Sequence, residues 1–105
     1  YIEPKPQYYN YDMYEGVEYV IDLTKAMGER VTSLMYQGEA VADTDTLQVV
    51  MNQYRGVGGG NYQMFTPDKI IKEIPVDMTE LISDYLRKHP KISAETNNNF
   101  RIKTI

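Results

Sequence analysis

Two stretches of this chain hold side chains that could do chemistry: a glycine run framed by polar and aromatic residues, and a crowd of tyrosines ahead of it. The run reads Asn52-Gln53-Tyr54-Arg55-Gly56-Val57-Gly58-Gly59-Gly60-Asn61-Tyr62. Four glycines among the five residues 56–60 lose much backbone entropy on folding and offer nothing to pack, so the run is a shaped loop rather than strand or helix. A ligand can approach such backbone closely, and Asn52, Tyr54, Arg55, Asn61 and Tyr62 surround it with polar and aromatic groups. The run is not a phosphate loop, because the Lys-Ser/Thr pair is missing and no helical pattern follows directly; the dinucleotide fingerprint fails on the same context. Taken alone, it is equally well a structural loop.

The aromatic supply is almost wholly tyrosine, with ten Tyr, two Phe and no Trp, and each tyrosine joins a flat apolar face to a polar edge suited to stacking on a partly wet planar ligand. Tyr19 falls on the apolar side of a strand pattern, and Tyr36 and Tyr85 also sit at positions expected in the core. Tyr11 and Tyr14 precede the first alternation and are the freer candidates for a ligand.

Other chemistries are excluded or poorly served. With no cysteine and the single His89 set between a helix end and Pro90, nucleophilic triads and structural zinc both fail; His89 reads as a helix-terminating cation. Asp12, Glu15, Glu18, Asp22, Asp43 and Asp45 are plentiful carboxylates, yet Asp43-Thr44-Asp45 lacks the glycine and downstream glutamate of an EF-hand loop. A net charge of −4 argues against a polymeric nucleic-acid partner. No run approaches the ~18 apolar residues of a membrane span, so no membrane insertion by this segment is expected. The absence of cysteine excludes disulfides and leaves the compartment open.

The elements that must position these residues follow from periodicity. Residues 17–23 alternate Val17, Tyr19, Ile21 and Leu23 against Glu18 and Asp22, a half-buried strand. Turn chemistry at residues 25–30, β-rich residues 31–36 and Gln37-Gly38-Glu39 predict a hairpin. Residues 47–52 read as a further strand and residues 69–74 as a short β-like stretch. Asp77 with Glu80 three residues on predicts a capping box. Leu81, Ile82, Tyr85 and Leu86 carry the helix to Lys88-His89-Pro90. A turn at Asn97-Asn98-Asn99 precedes a closing strand at residues 100–105, and the two prolines of residues 1–6 make an extended entry segment. The predicted fold is α+β: a small mixed sheet of about five strands with a helix near the C-terminus, in a single domain over residues 1–105. The start, with neither methionine nor an apolar signal core, reads as a cut inside a longer chain.

At the tyrosines and the glycine loop the sequence resembles the C-terminal domain of the bacterial 5′-nucleotidase family, most of all its 2′,3′-cyclic-nucleotide 2′-phosphodiesterase/3′-nucleotidase branch. The matching blocks are Tyr9-Asn10-Tyr11-Asp12-Met13-Tyr14-Glu15-Gly16-Val17 with Tyr19-Val20-Ile21-Asp22, then Gly28-Glu29-Arg30, then Asn52-Gln53-Tyr54-Arg55 with Gly58-Gly59-Gly60-Asn61-Tyr62. The combination is specific, though no single block is. The resemblance implies a nucleotide or nucleoside substrate whose base is held between two aromatic rings, falling on Tyr11 and Tyr62, with Gly58, Gly59, Gly60 and Asn61 shaping the loop and Asp68 helping to fix the nucleoside. It also implies an N-terminal metallophosphoesterase domain, absent here, that carries two divalent metal ions and cuts the phosphate ester, and export to the periplasm or cell envelope. Neither the metal-ligand motifs nor the family's upstream arginines are in this chain, so binding without catalysis is expected of it and no cofactor of its own. Tyrosine at both ring positions, where nucleotidases for 5′-substrates commonly carry Phe, favours the cyclic-phosphodiesterase branch. Two aromatic faces can clamp a base with about 1–3 kcal/mol per stack and little regard to base identity. A surface interaction module using exposed tyrosines is the rival expectation, and Tyr11 and Tyr62 as mere core residues a third.

Overall fold

A computed structural model describes residues 8–105, so the expected entry segment at residues 1–6 lies outside the described residues. The chain divides into two compact units, Tyr1–Leu47 with Thr96–Ile105, and Gln48–Glu95.

The first unit is built on a four-stranded sheet with strands β1 Glu18–Asp22, β2 Val31–Tyr36, β3 Glu39–Ala40 and β4 Phe100–Lys103, in the order β3-β2-β1-β4. β1 pairs antiparallel with β2 and parallel with β4, so the sheet is mixed as expected. The register sets Tyr19 beside Leu34 on one flank and Phe100 on the other, and Ile21 beside Ile102. Because paired residues share a face, these side chains form one apolar face across three strands. Tyr19 anchors it. Only 7% exposed, its ring stacks on Phe100 at 5.4 Å and meets Tyr14 edge-on at 6.3 Å. The β2–β3 reversal at Gln37 and Gly38 has both φ values positive, 52° and 81°, the primed geometry that matches strand twist. The predicted turn at residues 97–99 fastens β4 to the segment before β1: the Asn99 side-chain amide donates to the carbonyls of Tyr14 at 2.6 Å and Val17 at 2.9 Å, and that of Asn97 donates to Glu15 at 2.6 Å.

Asp22 closes β1 as a buried carboxylate. It accepts from the Thr24 hydroxyl at 2.6 Å and the Thr24 backbone N–H at 2.9 Å, with the Lys103 ammonium 3.7 Å away. The Thr24 hydroxyl bond first, then the Thr24 backbone bond, hold its pKa below the usual carboxylate value, with the charges of Lys103 and Lys25 adding to the effect. A carboxylate depressed in the folded state contributes stability above its unfolded pKa of about 3.9, and that contribution is lost as pH falls through the folded value. Asp22→Asn should therefore lower the melting temperature near neutral pH and flatten the decline of stability below about pH 4. Thermal unfolding of the full-length protein across that range checks this, and parallel pH profiles for the two proteins would sink it.

The second unit contains a single helical turn, α1 Gln53–Gly56, 3₁₀ turns at Gly59–Asn61 and Pro67–Lys69, and the helix α2 Met78–Lys88. Two expected strands do not form. Residues 47–52 join no ladder; the stretch leads instead to Asn52, whose side chain accepts from the Arg55 N–H at 2.9 Å and caps α1. Val50, 96% exposed, shows that β-rich composition had no sheet to join. Residues 69–74 likewise pair with nothing among the described residues, since Pro67 opens a 3₁₀ turn that takes Lys69 and Pro75 closes the stretch.

Helix α2 lies where its 3.6-residue pattern places it, with Arg87 and Lys88 at its C-terminal end. Asp77 occupies the N-cap position but its side chain makes no capping bond, so the expected capping box is absent. His89 ends the helix as predicted: its backbone N–H donates to the Tyr85 carbonyl at 2.9 Å, and its ring stacks on Tyr85 at 4.2 Å. The core expectation for Tyr85 and Tyr36 is corrected, because both are exposed, Tyr85 by 57%. No residue of α2 is buried.

Candidate functional site

The glycine loop turns back on itself through left-handed backbone. Gly58 has φ 88°, Gly60 φ 70° and Asn61 φ 67°, a conformation that glycine adopts freely and asparagine tolerates. Gly59 is required for a different reason. A Cβ there would stand 2.5 Å from the Tyr54 carbonyl oxygen and 2.7 Å from two carbons of the Tyr54 ring. The run is shaped as expected, by backbone angle at Gly58 and Gly60 and by close approach at Gly59, but the expectation that it holds no helix is corrected: Gln53–Gly56 form α1 and Gly59–Asn61 a 3₁₀ turn.

Arg55 organises the interior of the loop. Its backbone is fixed in α1 by the Asn52 cap, and the residue is only 9% exposed. The guanidinium carbon sits 3.9 Å from the centroid of the Tyr62 ring and 5.8 Å from that of Tyr54, while Nη1 donates to the Gly59 carbonyl at 2.7 Å. One buried cation therefore ties the carbonyl at the middle of the loop to the aromatic face at its end. Tyr62 is half-buried, and its ring runs nearly parallel to Phe65, 5° apart in plane with centroids 6.1 Å apart.

Asp68 follows in the 3₁₀ turn Pro67–Lys69, exposed to solvent. The Thr66 hydroxyl, its own backbone N–H and the charge of Lys69, in that order, hold its carboxyl below the usual value, so it is ionised at neutral pH. Tyr62, Gly58, Gly59, Gly60, Asn61 and Asp68 thus belong to one unit. Tyr11 belongs to the sheet unit, just after the 3₁₀ turn Tyr8–Asn10, with 51% of its surface exposed. Tyr14 is not the free ring expected: it lies edge-on to Tyr19, and its backbone N–H donates to the Tyr19 hydroxyl at 3.3 Å. Arg55 is the residue whose role sequence reasoning missed. Its only signal was a cation placed between Tyr54 and the glycines.

A shallow depression of about 360 Å³ opens over the sheet beside Glu18, Ser33, Met35 and Arg101, and none of the expected site residues lines it. Among the described residues no group of three or more His, Cys, Asp or Glu could hold a metal ion. Among the same residues no helix is long and apolar enough to cross a membrane.

Comparison with known proteins decides the family. Residues 2–67 match the family model described as 5′-nucleotidase, C-terminal domain. The chain belongs to this family. The matched span takes in Tyr11 and the whole glycine loop with Tyr62, and stops one residue before Asp68. The 5′-nucleotidase C-terminal domain here is 29% identical to the trifunctional nucleotide phosphoesterase YfkN of Bacillus subtilis, over 92% of this chain and 8% of that protein. It is 31% identical to a 2′,3′-cyclic-nucleotide 2′-phosphodiesterase/3′-nucleotidase of Haemophilus influenzae and 25% identical to one of Yersinia enterocolitica, over 92% of this chain and 17% of each of them. A crystal structure of a candidate 5′-nucleotidase from Staphylococcus aureus, in complex with alpha-ketoglutarate, superposes with a TM-score of 0.78 at 37% identity, over 98% of this chain and 20% of that one. The chain therefore spans a fifth or less of each of these relatives. The likeness extends through the α+β fold with its mixed sheet.

Proposed function

We propose that this chain is the nucleobase-gripping part of a metal-dependent 2′,3′-cyclic-nucleotide 2′-phosphodiesterase/3′-nucleotidase, exported to the periplasm or cell envelope, and that it binds substrate without itself cleaving it. Tyr11 and Tyr62 supply the two stacking faces, the loop Gly58-Gly59-Gly60-Asn61 presents Tyr62, and ionised Asp68 accepts from the nucleoside. Cleavage of the phosphate ester belongs to a metallophosphoesterase domain outside residues 1–105, where two divalent metal ions would supply the activation of water. The observation that carries this proposal is the Tyr62 ring, half-buried at the end of a loop that needs its glycines and backed by a buried guanidinium.

The test is activity of the full-length protein on a panel of nucleotides, with residues 1–105 assayed separately in Mn²⁺ or Mg²⁺. Hydrolysis of 2′,3′-cyclic nucleotides and 3′-nucleotides is expected of the full protein, and none of the fragment. A clear preference for 5′-nucleotides would reject the branch assignment. Chelator-sensitive turnover by the fragment that survives repurification would reject the division of labour.

A further inference from the structure

We propose that Arg55 is the positioning residue of the nucleobase site, acting on substrate only through Tyr62 and resting on the base-binding role proposed above. A loop with three consecutive glycines is the most freely jointed backbone a protein can offer, so a ring at its end stacks on a ligand only if something else holds the loop. The chain of contacts that does so runs from Asn52, whose side chain caps α1 and fixes the Arg55 backbone at 2.9 Å, to the Arg55 guanidinium. From there one branch reaches the Gly59 carbonyl at 2.7 Å and the other the Tyr62 ring at 3.9 Å. A planar guanidinium suits both tasks at once, because it lies flat on an aromatic face while its in-plane N–H bonds point at a carbonyl. Lysine can place a charge over the ring but not reproduce that flat, forked geometry. Removing Arg55 frees the Gly59 carbonyl and takes away the support beneath Tyr62, and the ring then loses its preset orientation although its chemistry is unchanged.

The experiment measures competitive inhibition of the full-length enzyme by adenosine, which reports the base site, and by inorganic phosphate, which reports the cleavage site. Arg55→Met should raise the adenosine Ki about tenfold, the loss expected for a desolvated cation–π contact, and leave the phosphate Ki within about twofold. Arg55→Lys should fall between Arg55→Met and the parent; if Arg55→Met does not fold, this variant carries the test with the same split between the two inhibitors. In a Tyr62→Ala background, Arg55→Met should add less than about twofold, because a residue that acts through Tyr62 has nothing left to position. Effects that multiply, or a phosphate Ki that rises in step with the adenosine Ki, would overturn the positioning role and leave the base site intact. An adenosine Ki unmoved by Tyr62→Ala alone would instead remove the base-binding role, and the Arg55 proposal with it.

Discussion

Gly59→Ala in the full-length protein should raise KM for nucleotides by at least about tenfold, and Gly59→Val by more, because the first added carbon already meets the Tyr54 carbonyl oxygen at 2.5 Å. That oxygen is backbone and cannot swing aside, so either α1 or the loop must move, and both carry Arg55 contacts to the Tyr62 ring. Overpacking of this kind costs about 1–3 kcal/mol and sometimes more, enough to displace Tyr62 from a stacking position. A neighbouring glycine supplies the control. At Gly56 an added Cβ would find only the Met51 side chain, at 3.8 Å, an ordinary contact, and its φ is not in the left-handed region. Gly56→Ala should therefore bind nucleotide like the parent and gain up to about 1 kcal/mol of stability from a less flexible unfolded chain. Steady-state kinetics of the two alanine variants side by side decide the matter. Normal KM in Gly59→Ala would show that the close approach to Tyr54 plays no part in binding.

The contrast between these glycines marks how far the sequence could be read. That residues 56–60 carry no strand or long helix follows from composition alone, since four glycines disfavour both; the short turns that end at Gly56 and span Gly59–Asn61 do not. That Gly59 has no room for a side chain, while Gly56 has room, depends on where Tyr54 comes to rest. The sheet was legible for a similar reason: the alternation of Tyr19 and Ile21 has real partners in Leu34, Phe100 and Ile102. Residues 47–52 and 69–74 have comparable β-rich composition but no neighbouring strand, and strand propensity is expressed only against one. Tyr36 and Tyr85 show the companion limit. Periodicity says which way a side chain points, not whether anything lies over it, and both rings are exposed. Arg55 was illegible because its partners, Gly59 and Tyr62, reach it only after Gly58 and Gly60 reverse the chain through left-handed angles.

Tyr62→Ala should raise KM for nucleotides about five- to 150-fold, the equivalent of losing one base–aromatic stack of about 1–3 kcal/mol. Tyr62→Phe should keep most of the affinity, because the face and its contact with the Arg55 guanidinium survive and only the hydroxyl is lost. The same pair of substitutions at Tyr11, a ring with half of its surface exposed in the sheet unit, should give the same ordering if it supplies the second face. The division between KM and kcat is informative. A ring that merely holds the base equally in ground and transition states raises KM alone, whereas one that also orients the ester for cleavage lowers kcat as well. Stacking tolerates base identity, so the loss from Tyr62→Ala should be of similar size for purine and pyrimidine substrates, with the larger purine face losing somewhat more. A KM unchanged across the panel in Tyr62→Ala would remove Tyr62 from the substrate site and leave its cation-backed ring as a structural plug of the glycine loop.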